Sequence, residues 1–242
     1  MNEEFKRYVS NYNINDKAIK MKYNHSLRVQ KLCKEIAEKT GYSENDIKIA
    51  EVIGLLHDYG RFPQWTEYKT FNDSESIDHA DYSIEKLFYS GEIMKYWSNF
   101  RDYDEIFDGI KYHNKLKVPE TLSEHNQNLC KVIRDADKID IFYIYATGEY
   151  SYNEDTEEIS KKIKSEFQSH NPIHHSNIKN GSDGIVYHLG YIYDLNFNSS
   201  FKYLKDNKLI DKIFEKIKDK EKFKPYFEEI KKYIDSKIKE DK

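Results

Sequence analysis

Six polar side chains in this 242-residue chain stand where an apolar residue would complete a helical stripe, or directly beside one. His25 interrupts the series Ala18, Met21, Val29, Leu32, Ile36, whose steps of three and four mark one face of a helix. His57 and Asp58 follow the pair Leu55-Leu56, and His113 continues Ile106 and Ile110. Asp137 lies one turn after Ile133, beside Ala136, and His79 falls in the first turn of its own helical segment. Burying one ionisable group is costly unless it is paired or metal-bound. Burying six in one bundle is most simply explained if they share a cation. Neutral imidazoles and carboxylates from facing helices suit iron, manganese or zinc, with no thiolate required. Four His and two Asp exceed the needs of one four-coordinate zinc. They fit two ions that share a bridging carboxylate and leave positions for water and substrate. Such a pair, roughly 3.5–4 Å apart, generates a hydroxide at neutral pH and clamps the oxygens of an in-line displacement at phosphorus.

This chemistry requires helices that aim one residue each into a common interior. The spacing predicts helices over Ile14 to Thr40, closed by Gly41, and over Asn45 to about Tyr59, opened by a capping pattern at Ser43 to Asp46. A polar loop is expected from Pro63 to Asp73. Further helices are expected near Ser76 to Tyr89, Asp102 to Asn114 and Asn126 to Thr147. Beyond Glu149 the sequence turns polar and turn-rich, then Lys/Ile/Phe/Tyr-rich, with helical spacing over Lys202 to Asp219 and from Pro225 to the C-terminus. The expected organisation is a helical core, 1–148, with a C-terminal helical extension, 149–242, packing on the same bundle as a single domain. Only 9 Gly and 4 Pro over this length argue for an all-α fold and against a many-turned β architecture. Aromatic residues at 15% oppose disorder, although hydrophobic residues reach only 38%.

The charge is nearly balanced, 39 Lys+Arg against 43 Asp+Glu, so the basic footprint of a nucleic-acid binder is missing and no stable nucleic-acid binding is expected. The leading residues NEEFKRYVSN contain no apolar signal region, and the best apolar run, IDIFYIYATG, is too short to span a membrane. Cys33 and Cys130 form no CxxC pair and read as small buried hydrophobes. The expectation is a cytoplasmic chain with no membrane partner. The tract DIFYIYATGEY reads as core, with stacking on a base as its alternative. His170, His174 and His175 lack acidic partners at helical spacing and read as a solvated loop.

His25, the adjacent His57-Asp58 in LLHDYGRF, and Asp137 in RDADKID resemble the HD-domain superfamily of metal-dependent phosphohydrolases. His79 in DHADYS and His113 in IKYHNK match the additional histidines of its bimetallic members. The separations of 32, 22, 34 and 24 residues allow one ligand position per helix. The resemblance covers roughly Asn24 to Asp140 and implies an HD-domain helical bundle with additional C-terminal helices. It implies that His25, His57, Asp58 and Asp137 hold one metal, that Asp58 bridges, and that His79 with His113 holds the second. Family order and the Ile133 spacing favour Asp137 over Asp135 and Asp140, which read as surface or ligand-orienting carboxylates. Several nucleotide-hydrolysing relatives carry Lys after the His-Asp pair where this sequence has Arg61, whose fork can still grip a phosphate. Arg61 is therefore the candidate phosphate clamp and, with Asp58, the catalytic candidate. Gln64, Lys138 and Arg134 are candidates for contacting substrate or orienting ligands. No Gly-Tyr-Pro signature of the cyclic-di-GMP phosphodiesterase branch follows. The implied activity is hydrolysis of a nucleotide or other small phosphate ester with one or two divalent ions, Fe, Mn, Mg, Ni or Zn, with Fe or Mn favoured. The same six ligands would serve a mixed-valent di-iron oxygenase, and a non-catalytic protein that holds a nucleotide through its metals is the third reading.

Overall fold

Asp16 fixes where the first long helix begins. Its carboxylate accepts the Ala18 amide at 2.9 Å, so the helix runs Lys17–Thr40 rather than from Ile14, and Gly41 ends it in the left-handed conformation at φ 80°. The computed structural model describes residues 1–239, which are all-α, with no strand among the described residues. Helices occupy α1 (Asn2–Val9), α2 (Lys17–Thr40), α3 (Glu44–Leu56), α4 (Arg61–Tyr68), α5 (His79–Ile84), α6 (Tyr103–Tyr112), α7 (Glu124–Thr147), α8 (Lys161–Gln168), α9 (Gly181–Leu189), α10 (Asn198–Asp206), α11 (Leu209–Lys216) and α12 (Lys220–Lys239). No helix among the described residues is long and apolar enough to cross a membrane.

The chain forms two compact units, Met1–Asp137 and the remainder from Lys138, and the boundary falls within the continuous helix α7. In the first unit α2 and α3 pack extensively on each other, with Val29, Leu32, Cys33 and Ile36 buried on one helix and Ile49, Val52, Ile53 and Leu56 on the other. Gly54 makes their close approach possible. A Cβ there would stand 2.8 Å from Cys33 Sγ and 2.9 Å from the Gln30 Cα. That proximity explains a glycine inside a helix, where it costs about 1 kcal/mol against alanine. Helix α6 packs on both α3 and α5.

The structure differs from the sequence reading around the His-Asp pair. Helix α3 stops at Leu56, and His57 to Gly60 form a tight turn in which the Tyr59 amide bonds to Leu56 O and the Arg61 amide to Asp58 O. Helix α4 follows where a loop was expected. Pro63 falls in its first turn, where amides have no helical partner and a missing N–H costs nothing. Gly60 lies flat against α5, since a Cβ would be 2.6 Å from His79 O and 2.7 Å from Ser83 N. The segment expected as one helix from Ser76 to Tyr89 is the short α5, capped by Asp78, running into a wider π-helical turn over Glu85–Tyr89.

In the second unit, the polar stretch after Glu149 contains two helices that the sequence reading lacked. Helix α8 buries Ile163 and Phe167, and α9 is capped by Asn180, whose side chain accepts the Asp183 amide. The single helix expected over Lys202 to Asp219 is broken into α10 and α11 at Lys208, whose φ of 53° no continuous helix permits. Helix α12 begins at Lys220, ahead of Pro225; the expectation that it reaches the C-terminus extends into residues 240–242, outside the described residues.

Candidate metal centre

Five points of the first unit deliver the six predicted ligands to one place. His25 comes from the middle of α2, His57 and Asp58 from the turn after α3, and His79 from the first residue of α5. His113 follows the last residue of α6, and Asp137 comes from α7. All four imidazoles and Asp58 are buried, while the Asp137 side chain keeps 18% exposure. Asp58 lies at the middle. Its Oδ2 is 3.5 Å from His25 Nε2 and 3.5 Å from His57 Nε2. Its Oδ1 is 3.4 Å from His79 Nε2 and 3.9 Å from His113 Nε2. Asp137 Oδ1 approaches His25 Nε2 at 3.2 Å and His57 Nε2 at 3.8 Å. One carboxylate oxygen thus faces one histidine pair and the other oxygen faces the second pair. The groups His25/His57/Asp58 and Asp58/His79/His113 each bring their ligand atoms within 4.8 Å of one another.

The tautomers follow from what the outer nitrogens touch. His57 Nδ1 is 2.9 Å from Gly54 O and His113 Nδ1 is 2.7 Å from Ile110 O. A carbonyl oxygen can only accept, so both Nδ1 atoms carry the proton and donate it. His79 Nδ1 donates to Asp73 Oδ2 at 2.6 Å. In the neutral imidazole each of these three Nε2 atoms therefore presents a lone pair inward. His79 and His113 point theirs at each other across 3.0 Å, and His25 and His57 bring their Nε2 atoms to 3.2 Å. Lone pairs and carboxylate oxygens converging in this way repel unless a cation lies among them. Adjacent ligands of an octahedral ion with bonds near 2.1 Å stand about 3.0 Å apart, and those of a tetrahedral one about 3.4 Å. The two Nε2–Nε2 separations, 3.0 and 3.2 Å, fall in that range, and those from the histidines to Asp58, 3.4–3.9 Å, begin at its upper end and run beyond it, so the donor set fits divalent ions.

At neutral pH His57, His113, Asp58 and Asp137 are in the form that binds metal. Burial pushes His57 down to about 4, and burial together with the neighbouring His57 and His79 pushes His113 well below the usual histidine range. Burial alone would raise Asp58, but Lys22, His57, Arg61 and His79 around it hold its carboxyl well below the usual range. Asp137 is likewise held low against its burial by His25, His57 and His113.

The sequence reading missed the supporting layer. Asp73 sits in the loop before α5 and binds both His79 Nδ1 and, at 2.8 Å, Arg61 Nη1. A carboxylate behind a histidine ligand fixes ring orientation and raises ligand basicity. Asp73, Asp78 and His79 also gather as a possible ligand group. However, Asp78 is engaged by the α5 amides and by Lys115, and Asp73 already takes the His79 proton. Lys22, one turn before His25 on α2, places Nζ 2.6 Å from Asp58 Oδ2. Its helical register with His25 was a signal in the sequence; Asp73 offered none, since irregular loops carry no periodicity.

The proposed substrate-side residues have structural partners. Arg61 Nη1 donates to Gln64 Oε1 at 2.8 Å, Phe71 O at 2.7 Å and Asp73 Oδ1 at 2.8 Å, while Nε lies 3.5 Å from Asp58 Oδ1. Gln64 is fully buried and donates its amide to Asp73, Ser76 and the Ile77 carbonyl. Together they hold the Phe71–Asp73 loop, which leaves Gln64 no free amide for a substrate. Arg134 donates to the carbonyls of Tyr112, His113, Lys115 and Leu116 and so secures the chain after α6. In the second unit, Lys138 pairs with Asp194 at 2.7 Å and stands over the Tyr191 ring. Asp135 and Asp140 are not on the surface: both are buried. His170 pairs with Glu229, 59 residues away, and His174 with Glu166, eight residues away, so these two exposed histidines do have acidic partners. Within the Tyr-rich tract, Phe142, Ile144 and Ala146 are buried, while Tyr145 stacks on Tyr152 at 4.0 Å.

Residues 23–141 match the family model described as the HD domain, a span that includes all six clustered side chains. No match to the chain was found among curated proteins or among solved structures.

Proposed function

Residues 23–141 being an HD domain, of a superfamily of metal-dependent hydrolases, we propose that the chain is a phosphohydrolase acting on a nucleotide or another small phosphate ester. The observation that carries this reading is the division of Asp58 between two histidine pairs, which makes it the natural bridge of a two-ion centre. His25, His57, Asp58 and Asp137 would hold one divalent ion, and Asp58, His79 and His113 the second; a ligand set of nitrogen and oxygen without thiolate favours Fe or Mn. When bound, such a pair supplies a nucleophile from water at neutral pH and neutralises charge on phosphoryl oxygens.

The chain's own residues prepare the site. The carbonyls of Gly54 and Ile110 and the carboxylate of Asp73 hold the protons of His57, His113 and His79 on their outer nitrogens, which leaves the Nε2 lone pairs of these three turned inward to ligate. Burial of these side chains excludes bulk water and strengthens the electrostatics of the centre. Arg61 fixes Asp73 and adds positive charge beside Asp58. No side-chain nucleophile is needed.

The test is elemental analysis of purified protein, followed by a screen of nucleotides and phosphodiesters with each metal restored. Asp58→Ala should lose metal and phosphohydrolase turnover together. Full metal content and turnover in that variant would refute the proposal. Iron with oxygen uptake and no phosphate release would assign the centre to oxygenase chemistry instead, and tight nucleotide binding without turnover would assign it to regulation.

A further inference from the structure

We infer that Lys22 is the cation that receives the substrate's phosphoryl group, a role that rests on the phosphohydrolase reading above. A phosphate ester presenting two or more anionic oxygens to the centre needs a positively charged donor that is close to the ions and not already committed. Arg61, the residue that sequence order suggests, has Nη1 shared among Gln64, the Phe71 carbonyl and Asp73. Moving it to a substrate would release the loop that carries the acceptor of the His79 proton. Lys22 has a different position. Its ammonium has three donors and meets one protein acceptor among the described residues, Asp58 Oδ2 at 2.6 Å. Its side chain keeps 16% exposure where Asp58 keeps 2%, so the ammonium stands on the solvent side of the carboxylate.

Three features hold it there. Lys22 is three residues before His25 on α2, so a rigid helix sets its distance from the ligands. Phe71 presents its ring 5.4 Å from Lys22 Nζ, and the same ring lies 5.6 Å from Arg61 Cζ. Trp65 backs Phe71 with ring centroids 4.8 Å apart, and the Trp65 indole N–H donates to Asp16, the cap of α2, at 2.9 Å. The wall that steers the ammonium is therefore anchored to the helix that carries it. Once Asp58 spends its charge on bound ions, its hold on Lys22 weakens, and the ammonium is left one hydrogen bond from the reacting centre with its donors free for anionic oxygen.

The experiment uses manganese-loaded full-length protein with inorganic phosphate as the probe. Lys22→Met should retain both ions, because all six ligands remain, and should bind phosphate about 10- to 100-fold more weakly by calorimetry, the range of one charge-assisted hydrogen bond. Lys22→Arg, which keeps the charge, should stay close to wild type. Without any substitution, phosphate should protect Lys22 of the loaded wild-type protein from amine-specific labelling mapped by mass spectrometry. Phosphate binding unchanged in Lys22→Met, or Lys22 labelling indifferent to phosphate, overturns the inference and leaves the hydrolase reading standing. Loss of metal in Lys22→Met also overturns it, since Lys22 would then serve to hold Asp58. A loaded wild-type protein that neither binds phosphate nor hydrolyses esters brings down both.

Discussion

Asp73 separates two kinds of importance among the polar residues of the first unit. It ligates nothing in the proposed arrangement, yet it takes the Nδ1 proton of His79 at 2.6 Å and is itself held low by His79 and Arg61 against its partial burial. Removing such a support typically lowers metal affinity about 10- to 100-fold. Asp73→Asn should therefore weaken the ion of the His79/His113 side and spare the His25/His57 side. After dialysis against a weak chelator, elemental analysis should show close to one ion per chain in the variant against two in the wild type, whereas Asp58→Ala should show almost none. Equal loss from both sides would mean that Asp73 acts on the fold and not on His79. The contrast also explains what the sequence disclosed. His25, His113 and Asp137 were legible because they interrupt or extend stripes that should bury apolar groups. Asp73 was not, because its place is set by Gln64 and Arg61 reaching from α4 into an irregular loop. Of the two readings of Asp135, surface or ligand-orienting, its burial removes the first, and for a related reason the sequence did not show this: burial depends on what α7 packs against, which its neighbours in RDADKID do not reveal.

At the scale of elements, the long periodic helices α2, α3 and α7 were readable to within three residues at each end, and the caps at Ser43 and Gly41 are where their residue types place them. The misses came from glycine, proline and lysine in roles that need tertiary context. Pro63 looked like a breaker and is a first-turn residue of α4; Lys208 looked helical and breaks α10 from α11. Gly60 is the most consequential of these positions. Its φ of −71° would suit any residue, so only space demands glycine there. An added Cβ would meet backbone atoms, His79 O and Ser83 N, and these cannot retreat without shifting His79 away from Asp58. The Gly60 amide also donates to Ser83 Oγ, which in turn bonds to the carbonyls of His57 and His79. Gly60→Ala should cost about 1–3 kcal/mol as overpacking and should weaken metal at the His79/His113 side. Gly41→Ala, which has open space but a left-handed φ, should destabilise without altering metal content. Denaturant unfolding alongside metal titration distinguishes the two, and Gly60→Ala with wild-type metal affinity would show that the α4–α5 contact does not set the ligand geometry.

For the molecule as a whole, a net charge of −4 spread over 82 charged residues leaves little room for bulk repulsion to govern pH behaviour. Buried imidazoles should govern it instead. His57 takes up a proton near 6.5 when unfolded but only near 4 when folded, so its contribution to stability is complete above about pH 6.5 and is lost as pH falls toward 4. His113 in the first unit shifts in the same direction, and so does His188 in the second, where burial and the neighbouring His175 push it down to about 4. Both units should therefore weaken over the same window, before Asp58, Asp73 and Asp137, whose carboxyls are held low, begin to titrate. In excess chelator, His57 alone should remove about 2–3 kcal/mol between pH 7 and pH 4.5. With saturating metal the stability at pH 7 should be higher, because only the folded chain brings the six proposed ligands together. It should then fall more steeply, because each ion must compete with protons for the same Nε2 atoms. Urea unfolding at pH 7.5, 6.0 and 4.5, with and without manganese, measures both slopes. A chelated protein equally stable at pH 7.5 and 4.5 would mean that His57 is protonated in the folded state, and a metal-loaded slope no steeper than the chelated one would mean that the imidazoles are not the ligands.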